Sequence, residues 1–364
     1  MTLYLGLDVH SKMTVYCAQN ERGTVIAQGQ TPTSPAGLTQ MLQALAAPPA
    51  TPIALESGTQ AGWVCGLLED LGMAPRVIDA REVRAKARNK RQKCDRRDAF
   101  EICDGLRRDL WVSRVWVPTP TIEQMRSILS RRRHFVSLAT AQINAVKFLL
   151  RARGQSRLYR SLQSEVAWDK LLAQSALVGL AAHLALHRAV WSQARAATRM
   201  LESELLEVAR PLAATLELLQ TLDGIGPIVA ATFVATLGTP ERFPDASRVV
   251  GYTGLGVSTY DSGETQRHGR ITKTGSGELR AMLCEAAHHA ARATHPLHPY
   301  FARLVARKGV KAAVVAVAQR LARILYQMWR NGQPFDADRL NVAPVRKLKS
   351  RTIHWEIRPV AAQR

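Results

Sequence analysis

Two carboxylates three residues apart, Asp95 and Asp98, stand in Lys93-Cys94-Asp95-Arg96-Arg97-Asp98-Ala99, inside the most basic run of the chain. At i and i+3 on a helix they project from one face, where they can share one cation. Two further acids, Asp8 and Glu56, end short apolar segments (Leu3–Leu7 and Pro52–Leu55) that read as strands. Hard oxygen ligands suit Mg²⁺ or Mn²⁺ better than zinc, and such ions serve phosphodiester chemistry by neutralising phosphate charge. Taken singly each acid is ordinary. A strand-end Asp is more often a turn residue than a ligand, and Asp95 and Asp98 have Lys93, Arg96 and Arg97 beside them as ion-pair partners.

A second candidate lies in Tyr260-Asp261-Ser262-Gly263-Glu264-Thr265-Gln266-Arg267-His268-Gly269-Arg270-Ile271-Thr272-Lys273. Ser262 beside a glycine, ahead of Arg267, Arg270 and Lys273, suits a hydroxyl brought close to a phosphate whose oxygens the cations hold. No partner base lies beside the serine, so the residues alone favour a DNA-contacting loop without a covalent role. A third signal is Leu222-Asp223-Gly224-Ile225-Gly226-Pro227 between two apolar helical stretches. Gly-x-Gly there is a helix-hairpin-helix signature, in which Gly224 and Gly226 permit a tight turn and the amides of the next helix face a phosphate. His288, His289, His295 and His298 cluster without a cysteine or carboxylate at ligand spacing, so a metal role for them is disfavoured.

The elements that must position these groups follow from periodicity. Three strands with a turn at Asn20–Gly23 suit an antiparallel meander. Helix, strand (to Glu56), helix, strand (Arg76–Asp79) and a long basic helix from about Glu82 to Arg108 come next. This order predicts a mixed sheet with helices packed on it, and an RNase H-like sheet would gather the four acids. After Val117-Pro-Thr-Pro120 the pattern turns helical, and apolar residues at three- and four-residue spacing over 171–206 predict an antiparallel helix pair or coiled coil that could join subunits. The expected division is 1–115 for the acid-bearing α/β domain, 116–215 for a helical connector, 216–340 for a helical domain with the hairpin and Ser262, and 341–364 for a loosely ordered basic tail.

The formal net charge is +21 over 364 residues, which favours a polyanionic partner. The run containing Lys90 and Arg91 reads as a nucleic-acid footprint. No segment has about eighteen uninterrupted apolar residues, so no membrane span is expected. Five cysteines without a CxxC pair suit a reduced compartment, and the cytoplasm is the expected location.

The motifs Gly6-Leu-Asp8-Val-His-Ser-Lys12, Leu55-Glu56-Ser57-Gly58, Lys93-Cys-Asp95-Arg-Arg-Asp98-Ala99, Leu222-Asp-Gly-Ile-Gly-Pro227 and Ser262-Gly263 with Gly269-Arg-Ile-Thr-Lys273 recur in this order over nearly the whole chain. Together they resemble the DEDD-type insertion-sequence transposases, relatives of the Piv DNA invertase. The resemblance implies a RuvC-like N-terminal domain whose Asp8, Glu56, Asp95 and Asp98 bind Mg²⁺. It also implies a C-terminal domain whose Ser262 attacks a DNA phosphate to give a phosphoserine intermediate, and a composite site in a homodimer or homotetramer. It further implies a guide RNA encoded by the element itself. Cys94 departs from the small hydroxyl residue usual in relatives, and Gly58–Gly62 lacks their aromatic residue. The alternatives are a metal-dependent junction-resolving nuclease in which Ser262 only binds, a DNA invertase, or a nucleic-acid-binding protein without catalysis.

Overall fold

Leu3–Val9 (β1), Met13–Asn20 (β2) and Val25–Pro32 (β3) form the meander, each antiparallel to the next. Pro52–Glu56 (β4) lies parallel to β1, and Ala74–Ile78 (β5) parallel to β4, so the sheet order is β3-β2-β1-β4-β5. The computed structural model describes residues 2–87, 94–111, 115–155, 157, 162–262, 265–338, 345–348 and 353–356. By contacts the chain divides into two units, Met1–Thr119 and Pro120–Arg364.

In the first unit, alternation along the strands gives the sheet two different faces. Leu5, Leu7, Ile53 and Leu55 point to one side. There they pack on Leu38, Met41 and Leu42 of Pro35–Ala44 (α1) and on Val64, Cys65 and Leu68 of Ala61–Asp70 (α2). The other face is covered by Asp95–Arg107 (α4), which is preceded by Ala80–Ala87 (α3). Ala99 and Cys103 of α4 meet Val15 and Cys17, while Ile102 and Leu106 meet Ala54, Ile78 and Trp111. Gly6 is the contact point. A Cβ built on it would lie 2.4 Å from Ala99 O and 2.4 Å from Cys103 N, so only a glycine lets α4 settle this deeply on β1.

The long basic helix expected from Glu82 to Arg108 is two helices. Cys94 is extended (φ −150°, ψ 147°), and α4 starts afresh at Asp95. Seating Ala99 and Cys103 on the sheet fixes the path of α4 and so where that helix starts. Lys90 and Arg91 lie outside the described residues.

The second unit opens with the 33-residue helix Pro120–Ala152 (α5). The region expected to be helical throughout is broken after it. Gly154 has φ +68°, Ser164 caps Glu165–Leu172 (α6) by accepting from Ala167 N, and Ala181–Val208 (α7) follows. The apolar seam of α7 finds its partner within the chain. Arg132 of α5 pairs with Glu202 at 2.6 Å, and Gln142 meets His187 at 2.8 Å, so the two helices run antiparallel around Trp168 and Trp191.

Ala213–Gln220 (α8) leads through a tight turn to Pro227–Leu237 (α9), whose residues 230–235 are all buried. Arg126 of α5 donates to Ala235 O and Thr236 O, satisfying carbonyls that the end of α9 leaves open. Ala246–Tyr252 (α10), Gly277–His288 (α11), His298–Lys308 (α12) and Val310–Asn331 (α13) complete the helical body. The Gly/Ser/Thr-rich passage between α10 and α11 holds a hairpin, Val257–Ser262 (β6) with Thr265–Ile271 (β7). In the tail expected to be loose, Val345–Leu348 (β8) pairs with Ile353–Glu356 (β9). No described helix is long and apolar enough to cross a membrane.

Candidate metal centre and candidate nucleic-acid elements

Asp8 is two residues beyond Gly6 on β1, so its side chain leaves the sheet on the face that α4 covers. Glu56 is two residues beyond Ala54, which also packs on that face. The parallel register pairs Leu7 with Leu55, which makes Asp8 and Glu56 the next residues along two adjacent strands. Asp95 and Asp98 occupy the first turn of α4, where the unpaired amides of the helix start favour ionised carboxylates. The first turn is tied to the sheet by Gln28 of β3, whose Nε2 donates to Arg96 O at 2.7 Å. The sheet ends and one helix start thus bring the four acids to one side of the first unit.

His10 joins them. Its Nε2 lies 3.2 Å from Asp8 Oδ2 and 3.5 Å from Asp95 Oδ2, and one ligand atom from each of the three residues lies within 4.8 Å of the others. Asp8 is more enclosed than Asp95, with 14% of its side chain exposed against 59%. Burial raises the Asp8 carboxyl above its ordinary range. The charges of Asp95 and Asp98 raise it further, and His10 opposes the shift. Mutual repulsion among acids gathered at one point is what a bound cation relieves. Carboxylate oxygens with one imidazole form a donor set fitted to a divalent metal. Of the expected ion-pair partners, Arg97 turns to Glu101 at 3.8 Å and Lys93 lies outside the described residues, while Asp95 has His10 beside it. Sequence reasoning overlooked His10. The available signal was its i+2 spacing from Asp8, which returns a side chain to the same side of a strand.

In the second unit, Ser262 ends β6 and pairs with Thr265, at the tip of the hairpin. Arg267 pairs with Tyr260 on the facing strand, and Arg270 is exposed near the hairpin's base. Lys273 follows β7 with φ +55°, and its amide donates to Gly254 O at 3.0 Å. The base is drawn tight at Gly275 (φ +91°), where a Cβ would lie 2.0 Å from Tyr252 O. Ser258 Oγ donates to Arg270 O at 2.9 Å, and Ser276 caps α11 by accepting from Leu279 N at 3.1 Å.

Gly224 has φ +83°, and Gly226 is the extended residue before Pro227 at the start of α9, with no side chain capping that helix. An open recess of about 450 Å³ lies beside this turn, lined by Asp223, Gly224, Gly226, Glu285 and His289 among others. From the histidine cluster, His295 anchors the turn. Its Nδ1 accepts from Leu297 N at 3.0 Å, which leaves the proton on Nε2 to be donated to Asp223 O at 3.1 Å. With both ring nitrogens engaged by backbone, His295 is a structural tie rather than a ligand.

Two family models match the chain. A transposase model of the DEDD type found in the IS110 group matches residues 5–153, and one described as "Transposase IS116/IS110/IS902 family" matches residues 216–302. The chain is 26% identical over 288 residues to a "Probable family 20 transposase" of Pseudomonas aeruginosa, covering 76% of this chain and 83% of that one. It is 25% identical over 341 residues to the "Transposase for insertion sequence element IS1111A" of Coxiella burnetii, covering 89% and 88%. A "Pilin gene-inverting protein" of Moraxella bovis is 28% identical over 122 residues, covering 33% and 38%. Between them the two models take in the acid-bearing sheet, the Gly224–Gly226 turn and the Ser262 hairpin, and the chain is a DNA transposase or recombinase carrying the domains of the IS110/IS116 family.

Proposed function

We propose that the chain moves an insertion sequence by a covalent serine–DNA mechanism, with Asp8, Glu56, Asp95 and Asp98 holding Mg²⁺ or Mn²⁺. The observation that carries this reading is the convergence of two strand ends and the first turn of α4 on one side of the sheet. The order β3-β2-β1-β4-β5, with the meander antiparallel and β1, β4 and β5 parallel, supports an RNase H/RuvC-like domain. A divalent cation in such a site neutralises phosphate charge and stabilises the attacking and leaving oxygens.

Ser262 is the nucleophile in this reading. Its support is that Ser258 and Ser276, the neighbouring serines of the motif, are engaged in fixed structural hydrogen bonds. The Ser262 oxygen attacks the phosphorus of a DNA phosphodiester, and the bond from phosphorus to one deoxyribose oxygen breaks. The serine's proton leaves as that oxygen becomes a hydroxyl, and attack by a DNA hydroxyl on the phosphoserine later restores a phosphodiester and frees the serine.

Residues 1–115 would supply the acids, 116–215 a connector, and 216–340 the helix-hairpin-helix and the serine, with 341–364 a basic tail. Gly224 and Gly226 would present the amides at the start of α9 to a phosphate. Lys90, Arg91, Arg267, Arg270 and Lys273 would hold the DNA backbone, and part of the +21 charge would serve an element-encoded guide RNA. The working form would be a homodimer or homotetramer in the cytoplasm.

A suicide DNA substrate with Mg²⁺, analysed on a denaturing gel, tests the serine step. Wild type is expected to give a covalent protein–DNA adduct that Ser262→Ala does not form. Metal-dependent cutting with no adduct in wild type would instead indicate a nuclease.

A further inference from the structure

Resting on the metal-site reading above, we propose that His10 is a direct nitrogen ligand of the cation held by Asp8 and Asp95, and that it tilts the site toward Mn²⁺ over Mg²⁺. The argument begins with distances. In an octahedral site with metal–ligand bonds of about 2.1 Å, neighbouring ligand atoms are about 3 Å apart and opposite ones about 4 Å apart. The His10 Nε2 distances of 3.2 Å to Asp8 and 3.5 Å to Asp95 are those of neighbours on one coordination sphere. One ligand atom from each of Asp8, His10 and Asp95 lies within 4.8 Å of the other two.

The backbone of His10 is also held in place. His10 N donates to Met13 O at 3.1 Å, closing the β1–β2 connection, and Gln60 Nε2 donates to His10 O at 3.0 Å. These bonds hold the backbone of His10 from both sides while its side chain, 49% exposed, stands at the mouth of the site.

The chemistry of the donor then sets the preference. Imidazole is a softer ligand than water or carboxylate. Mg²⁺ gains little by exchanging a water for it, whereas first-row transition ions gain more. A site of oxygen ligands alone would bind Mg²⁺ and Mn²⁺ with the selectivity of carboxylates. The same site with His10 bound would favour Mn²⁺.

The test uses the full-length protein loaded with Mn²⁺ and read by pulsed electron paramagnetic resonance. Wild type is expected to show ¹⁴N modulation from a coordinated imidazole, and His10→Ala to lose it. His10→Ala should also bind Mn²⁺ about tenfold more weakly, with its Mg²⁺ affinity, measured by competition, changing much less. If Mn²⁺ binds wild type in an Asp8-dependent manner without ¹⁴N modulation, the His10 inference is wrong and the carboxylate site stands. If Mn²⁺ binds Asp8→Asn as tightly as wild type, the underlying site is wrong as well.

Discussion

Asp8→Asn is expected to cut DNA strand cleavage by about a thousandfold, which corresponds to roughly 4 kcal/mol of transition-state stabilisation. Asp8 is far more enclosed than Asp95 and rides on the central strand. Asn keeps its shape and loses its charge. The same substitution should stabilise the metal-free protein by about 1 kcal/mol, because function has been placed on a group that the fold alone does not favour. The sign follows from the raised Asp8 carboxyl. Folding binds that proton more tightly than the unfolded chain does. The stability linked to it is therefore present below the ordinary carboxylate range and lost as pH rises through the raised value. At neutral pH the metal-free protein carries the cost of a buried charge facing Asp95 and Asp98, and Asn removes it. Cleavage kinetics with Mg²⁺ and thermal melts in chelator check the two halves separately.

Gly6→Ala should also slow cleavage severely, although Gly6 carries no chemistry. Its new Cβ would lie 2.4 Å from Ala99 O and from Cys103 N, both backbone atoms, where ordinary contact begins at 3.4 Å. Neither can rotate away, so α4 must lift by about 1 Å, and overpacking of this kind costs about 3 kcal/mol. Asp95 and Asp98 lift with it. A displacement of about 1 Å within a catalytic constellation costs on the order of a hundredfold in rate. The measurement is a pair: a lower melting temperature, and a cleavage rate that stays low at temperatures where circular dichroism shows the variant folded. Full activity in a folded Gly6→Ala protein would mean that the seat of α4 on β1 does not set the site.

The sequence revealed the strand ends better than the distances between them. Leu5 and Leu7 alternate with Gly6 and Asp8, and Ile53 and Leu55 with Ala54 and Glu56, so the period of two already puts both acids opposite the apolar face. That Asp8 and Glu56 are neighbours depends on the parallel pairing of β1 with β4, a long-range register that no local pattern encodes. The break at Cys94 was hidden for a different reason. Lys, Arg and Ala favour helix through the whole run, and cysteine is no habitual cap, so only the packing of Ala99 and Cys103 fixes where α4 begins. The β6–β7 hairpin was equally hidden, because its strands are polar on both faces and lack the alternation by which half-buried strands are recognised. His10 escaped notice because a lone histidine after a strand says little until Asp95 is seen beside it.

The central claim is that these strand ends and the start of α4 hold a divalent cation, and anomalous diffraction from crystals of the protein with Mn²⁺ tests it most directly. The account predicts a peak within about 2.5 Å of carboxylate oxygens of both Asp8 and Asp95. Crystals saturated with Mn²⁺ whose only anomalous peaks lie away from Asp8 and Asp95 would contradict it.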